Sequence, residues 1–352
     1  MQTSNRARHH GERRHTRNEP DPIFYPFCEI LQYSPSKATV LDLRQLRYFV
    51  AIVDAGSLSR AAMVLHVAQP ALSQQLAHLE RDTGSKLVKR SVRGVAPTDA
   101  GRAVYRHAQT LLKLAAETAD VARGAGVGAS GRVRIGLPSS IAMILAAPLL
   151  AALHARHPCI LVELYESPST YLAAQLFDER IDLSVLVDRS PSPALMSEPL
   201  VSESVYFVHE RKSNPLSACE TVSIAQLAGI PMILTTRATT LRHLLDAAFL
   251  DAGFTPAVFA EASSIQTLLT VVAQGRIGTL IPFSALSWHP ATRSLQHHLV
   301  QPKIERIASL AWSRTASMTE STERVRDSII DVTRALVQDG NWLGTTLHDR
   351  HQ

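Results

Sequence analysis

The sequence predicts an α/β protein in three parts: a helical head with a helix-turn-helix and a basic wing, one long helix, and a βα body. Three observations predict this. Residues 57–80 read as two short helices with a sharp turn between them. Residues 98–123 hold an apolar 4-3 spacing, the pattern of a helix with a packing seam. From Arg132 onward, short apolar runs alternate with helical stretches, which predicts mainly parallel sheets.

The head opens with Leu43–Ala55, where Leu46, Phe49, Val50 and Val53 share one helical face. This supplies the third helix that a small helix-turn-helix core needs. Ser57 is a natural N-cap, and Ala61, Ala62 and Leu65 form an apolar stripe behind it. That helix stops near His66. Gln69-Pro70 starts the next, because proline suits a first helical turn. Leu72, Leu76 and Leu79 recur at i, i+4 and i+7 and face inward, leaving Gln69, Ser73, Gln74 and Gln75 on other faces. Such a helix can lay polar side chains in a DNA major groove. A helical hairpin with a solvated Gln and Ser face fits the same spacing. After Gly84, Lys86–Ser91 and Val92–Thr98 read as two strand-like runs with Arg93-Gly94 at the turn, a basic wing, and Thr98 caps the following helix.

Charge agrees with a nucleic-acid partner. The chain has 352 residues and a net charge of +5, unevenly placed. Residues 1–134 hold 20 Lys+Arg against 11 Asp+Glu, and the remainder 16 against 20. The basic excess therefore coincides with the helix-turn-helix, as phosphate contact requires. Base edges are assigned to Gln69, Ser73 and Gln74, with Pro70 opening their helix; phosphates are assigned to Ser57, Arg60, Arg90 and Arg93. Cys28, Cys159 and Cys219 are far apart, so neither a disulfide framework nor a zinc site is expected, and a reducing cytoplasm fits. No apolar signal segment is read in residues 1–40, and Ile135–Leu153 reads as strand, loop and helix, not as a membrane span.

Residues 43–101 resemble the winged helix-turn-helix of LysR-type transcriptional regulators. The resemblance is carried by Phe49, Ser57, Ala61-Ala62, Leu65, Gln69-Pro70-Ala71-Leu72-Ser73, Leu79-Glu80, Gly84, Leu87, Arg90, Arg93 and Thr98-Asp99-Ala100-Gly101. Val88 departs from it, standing where that family usually has phenylalanine. Leu65-His66, Ala68 to Gln75, Arg93-Gly94-Val95 and Tyr105-Arg106-His107-Ala108 look most like the nitrogen assimilation control subgroup. The resemblance implies a two-lobed effector domain like that of periplasmic solute-binding proteins. Its partners would be promoter DNA, a small co-inducer, a second copy of the chain in a dimer of dimers, and RNA polymerase. No cofactor and no membrane contact are expected.

On this reading residues 1–40 are a disordered basic extension; an arm touching DNA is the alternative. The resemblance starts near Leu41, which predicts a translation start downstream of the first residue given. The head spans 41–101, and the linker helix 98–123 overlaps its end. Val104, Ala108, Leu111, Ala115, Thr118 and Ala122 form the seam of that rod, roughly 40 Å long, on which two subunits would pair. Residues 124–131 are a glycine hinge. Its accidental G-x-G-x-x-G is rejected, because it follows a helix and opens a strand. The effector domain covers 132–340, with lobe one at 132–203 and 306–340, lobe two at 204–305, and a tail at 341–352.

In open α/β sheets, ligands sit beyond the carboxyl ends of strands, at helix N-termini. This points to Ser139 and Ser140, to Thr235 and Thr239, and to Phe283 as an apolar wall, with Arg237 adding charge. These suit a small anion, although simple helix capping by the same hydroxyls is the alternative. A regulator acting without an inducer and controlled by its abundance is a second functional reading. An enzyme is a third: there is no G-x-S-x-G elbow, His154 and His157 read as helix-end cations, and His297-His298 as a surface loop.

Overall fold

The computed structural model describes residues 41–91, 94–122, 129–188, 192–211, 220–287, 290–316 and 318–348. The 1–40 extension, Arg93, most of the glycine hinge, Cys28 and Cys219 lie outside these.

The head consists of α1 (Leu43–Ala55), α2 (Leu58–Val64), α3 (Gln69–Asp82), the hairpin β1 (Val88–Ser91) and β2 (Gly94–Pro97), and the start of α4 (Asp99–Ala122). Asp42 caps α1 by accepting the Arg44 N–H at 2.8 Å, and Thr98 caps α4 by accepting the Gly101 N–H at 2.9 Å. Leu46, Phe49 and Ile52 of α1 pack on Ala61 and Ala62, on Leu72, Leu76 and Leu79, and on Tyr105 and Ala108 of α4. The small pair on α2 is what lets α3 cross it closely.

The body follows as β3 (Gly131–Leu137), α5 (Ser139–Arg156), β4 (Ile160–Glu166), α6 (Ser169–Phe177), β5 (Leu183–Val187) and β6 (Leu195–Glu210). Then come β7 (Thr221–Ser223), α7 (Ile224–Leu227), β8 (Met232–Thr235), α8 (Thr240–Asp251), β9 (Val258–Ala262), α9 (Ile265–Val272) and β10 (Gly278–Pro282). One helical turn, Phe283–Leu286, leads towards β11 (Leu295–Gln301), β12 (Glu305–Ser313), α10 (Glu320–Gln338) and β13 (Thr345–Leu347). The strand order is β4-β3-β5-β12-β6-β10-β8-β9. Each lobe has its own buried core. Helix α5 is long and apolar enough to cross a membrane, yet Ile141, Ile144, Leu145, Leu149 and Leu153 are buried in lobe one, as in a core helix.

The sheet is mixed, not mainly parallel. β3 runs parallel to β4 and β5, and β8 to β9 and β10, but β6 and β12 pair antiparallel with each other and with their neighbours. These two strands carry the chain between lobes, which reverses their direction. β6 spans both lobes, pairing β12 up to Ser204 and β10 from Val205. Two further expectations are corrected. His297 and His298 lie on β11, where His298 is buried and its Nε2 is 2.8 Å from Nε2 of His209, not in a surface loop. Residues 341–348 are no tail: Trp342 is buried and β13 extends the sheet along β6.

Candidate functional site

On the head, Gln69, Pro70 and Gln74 are exposed along one flank of α3. Ser73 is half-buried, and its Oγ accepts from Arg90 Nη2 at 3.1 Å. The structure thus joins a residue assigned to base edges with one assigned to phosphates. Ser57 caps α2, and Arg60 is exposed on the same helix. The wing is fixed from two sides. Val95 N–H donates to the Gly56 carbonyl at 2.9 Å, and a Cβ on Gly94 would lie 2.5 Å from that oxygen, so position 94 requires glycine. On the other side, the buried Glu80 carboxylate accepts from Lys86 Nζ at 2.6 Å and from the backbone N–H of Leu87 at 2.9 Å and of Val88 at 3.4 Å. Burial pushes this carboxyl up, but those donors outweigh it and hold it below its ordinary range. The base of the wing is thus tied to α3 through Glu80 and Arg90 and to the α1–α2 turn through Gly56.

Helix α4 links head and body. The Tyr105 hydroxyl donates to Asp54 of α1; burial first, then that carboxylate, raises the phenol well above its ordinary range. Further along, Thr110 Oγ1 donates to Glu179 at 3.0 Å, and Lys113 Nζ donates to Asp182 at 3.3 Å and to Thr322 at 2.8 Å. Of the expected seam, Ala108 is used in the head's own core, whereas Leu111 is 42% exposed and its neighbour Leu114 is 53% exposed.

Between the lobes lies a cavity of about 100 Å³. Ser139, Ser140, Thr235 and Thr239 all line it, together with Ser169 and Thr170 at the start of α6. Two expectations fail here. Phe283 is not a wall: its ring packs on Tyr206 at 6.2 Å and His297 at 5.6 Å, and Pro282 and Ala285 line the cavity instead. Arg237 is exposed, lies 3.8 Å from Glu261 and does not line the cavity. The cation at the cavity is Arg306, which sequence reasoning missed. Its Nε and Nη2 donate to Glu203 Oε2 at 2.9 and 2.8 Å, and Nη2 also donates to Ser140 Oγ at 2.8 Å and Ser284 Oγ at 3.1 Å. Glu203, fully buried, accepts in addition from Ser284 N–H at 2.8 Å and Trp342 Nε1 at 2.9 Å. A charge at an inward strand position, Glu203 between Val201 and Val205, was the available signal. Among the described residues, no group of three or more His, Cys, Asp or Glu could hold a metal.

A winged reading head joined by a helix to a two-lobed domain with a polar cleft defines a DNA-binding regulator with an effector domain. The chain belongs to the LysR family of bacterial transcriptional regulators. Residues 43–102 match the model of the bacterial regulatory helix-turn-helix protein, lysR family, and residues 126–334 match the LysR substrate binding domain. Members of this family regulate transcription and are not enzymes. A nitrogen assimilation regulatory protein of Klebsiella aerogenes is 34% identical over 294 residues, which cover 83% of this chain and 95% of the relative. Its Escherichia coli K12 counterpart is 32% identical over 301 residues, 85% of this chain and 97% of the relative. A full-length OxyR variant of Pseudomonas aeruginosa superposes with a TM-score of 0.66 at 23% identity, covering 84% of this chain and 95% of that one. Full-length CbnR complexed with its target DNA gives 0.56 at 22% identity, over 84% and 99%. At these identities the two structures speak for the fold.

Proposed function

We propose that this regulator works in the cytoplasm as a dimer of dimers, reads promoter DNA with α3 and the wing, and changes its grip when a small anion enters the inter-lobe cavity. The observation that carries the ligand reading is local: α5 and α6 both begin at the cavity behind a proline N-cap, and neither N-terminus has a side-chain cap. Their leading N–H groups and dipoles favour a negative group there. The exposed Leu111 and Leu114 support pairing through α4. RNA polymerase is the partner such a regulator would present itself to once on the promoter.

Titration of small anions against the full-length chain on its upstream DNA, followed by fluorescence anisotropy and a reporter, tests this. A ligand shifts the assembly only if it binds one arrangement better than the other. Ser139→Ala should alter the response to ligand and leave ligand-free DNA affinity unchanged. If no anion binds and Ser139→Ala regulates like the parent, the ligand reading fails. One observation favours the second reading, control by abundance: the Arg306–Glu203 pair already bridges both lobes through Ser140 and Ser284.

A further inference from the structure

Helix α4 is held on one side by its own body. Arg106 Cζ stands 5.0 Å from the centre of the Phe177 ring, and Arg180 Cζ stands 5.9 Å from that of Tyr105. Thr110 and Lys113, further along, donate to Glu179 and Asp182. All four contacts fall on one turn, residues 177–182, between α6 and β5. Tyr105 also belongs to the core of the head, so the body meets α4 where the head ends.

The turn is itself fastened to lobe one. Glu179 ends α6 in the left-handed region, at φ 56°, and the Arg180 N–H closes on the Gln175 carbonyl at 2.8 Å. The Glu179 carboxylate, 6% exposed, is thereby set between Thr110 and Thr315, whose Oγ1 donates to it at 2.9 Å. Asp182 accepts the Arg134 N–H of β3 at 2.7 Å, and Lys113 reaches on to Thr322 at the start of α10. Parting α4 from the turn would take one donor from Glu179 and an ammonium from Asp182, which is costly where little water enters. The other side of α4 is open. At about 3.6 residues per turn, Leu111 points away from all four gripping residues, and it is exposed.

We infer that the 177–182 turn sets the spacing specificity of the regulator: it fixes the separation and rotational phase of two palindromes gripped at once. Phe177, Glu179 and Asp182 are then positioning residues for DNA recognition, outside the reading surface. This rests on the dimer-of-dimers reading. One side of α4 is held by its own body and the other is taken by the seam. One pair of chains then meets the next through the bodies, and the angle between each head and its body decides where the second pair of heads falls.

The test uses the full-length chain and duplexes carrying the palindrome it selects from a random pool. One duplex has a single copy, one has two copies at the best gap, and one has about 5 base pairs more, about half a helical turn. In gel shifts the parent should bind the best-gap duplex about tenfold more tightly than the lengthened one. Arg106→Met with Lys113→Met should reduce that ratio to about twofold or less and leave single-copy affinity unchanged. Lys113→Arg keeps the charge opposite Asp182 and should keep the parent's ratio. Should the double variant fail to fold, Phe177→Ala, at a ring 45% exposed, removes the seat of Arg106 and should lower the ratio about threefold. No phase dependence in the parent defeats the dimer-of-dimers reading and the inference with it. A tenfold ratio kept by every variant that folds, or an equal loss of affinity on the single copy, overturns the inference and leaves that reading standing.

Discussion

Arg90 Nη2 lies 3.1 Å from Ser73 Oγ, so the wing strand and the reading helix meet through side chains 17 residues apart. The contact occupies the Ser73 oxygen as an acceptor. The Ser73 O–H and second lone pair stay available, and Gln69 and Gln74 are exposed on the same helix.

Gln74→Ala should lose about 1–3 kcal/mol of discrimination between the preferred site and a single-base mismatch. Arg90→Ala should weaken all sequences alike and lower the salt slope by about one. Arg93→Ala should do the same. Anisotropy across a salt series checks all three. Unchanged mismatch ratios for Gln74→Ala, with unchanged slopes for both arginine variants, would reverse the assignment.

Leu111 is 42% exposed on α4 and becomes a buried seam residue if two chains pair there. Leu111→Asp would then place an unpaired carboxylate in an apolar contact. Light scattering should show monomers or aggregates, and operator binding should be lost. A stable dimer carrying this substitution would place the seam elsewhere.

Glu80 gives the head a pH dependence. Its carboxyl is held below the ordinary value of 4.5 by Lys86 and the backbone of Leu87 and Val88, which outweigh the effect of burial. A group lowered on folding stabilises the native state above its unfolded value, and that contribution is lost as pH falls through the folded value. The Tm difference between the parent and Glu80→Gln should therefore be largest near neutral pH and shrink below about pH 4.5. A difference that grows on acidification contradicts the sign.

Trp342 Nε1 donates to the buried Glu203 at 2.9 Å. Trp342→Phe keeps most of the packing and removes this donor, at a cost of about 1–3 kcal/mol for the carboxylate left short of a partner. Deleting residues 341–352 should cost more, because β13 goes with the indole. Urea unfolding of the full chain measures both. Equal stability of all three proteins would mean the segment is dispensable.

The head was legible because its spacings are local. Leu72, Leu76 and Leu79 declare one face of α3, and the turn at Gly94 declares the wing. The body hid what depends on distant pairing. Pro199 obscured the first half of β6; it sits at a register shift opposite Ser309, where a missing N–H is tolerated. His297 and His298 read as polar surface because nothing local reveals that His209 lies across the strand pair. Ser139, Ser140, Thr235 and Thr239 were found by the rule that ligands gather at strand ends. Phe283 was misplaced because its direction follows the turn after β10, not the strand itself. Arg306 and Glu203, 103 residues apart, could be joined only by the fold.

The central claim is that this chain reads a specific DNA sequence with α3 and the wing, as a symmetric assembly. Selection of bound duplexes from a random pool by the full-length protein tests it most directly. The account predicts an enriched, interrupted palindrome whose half-sites lie one helical turn or a multiple of it apart, roughly 10 base pairs per turn, with its base preferences relaxed in Gln74→Ala. A pool that binds without enrichment, or a motif identical in parent and Gln74→Ala, would contradict it.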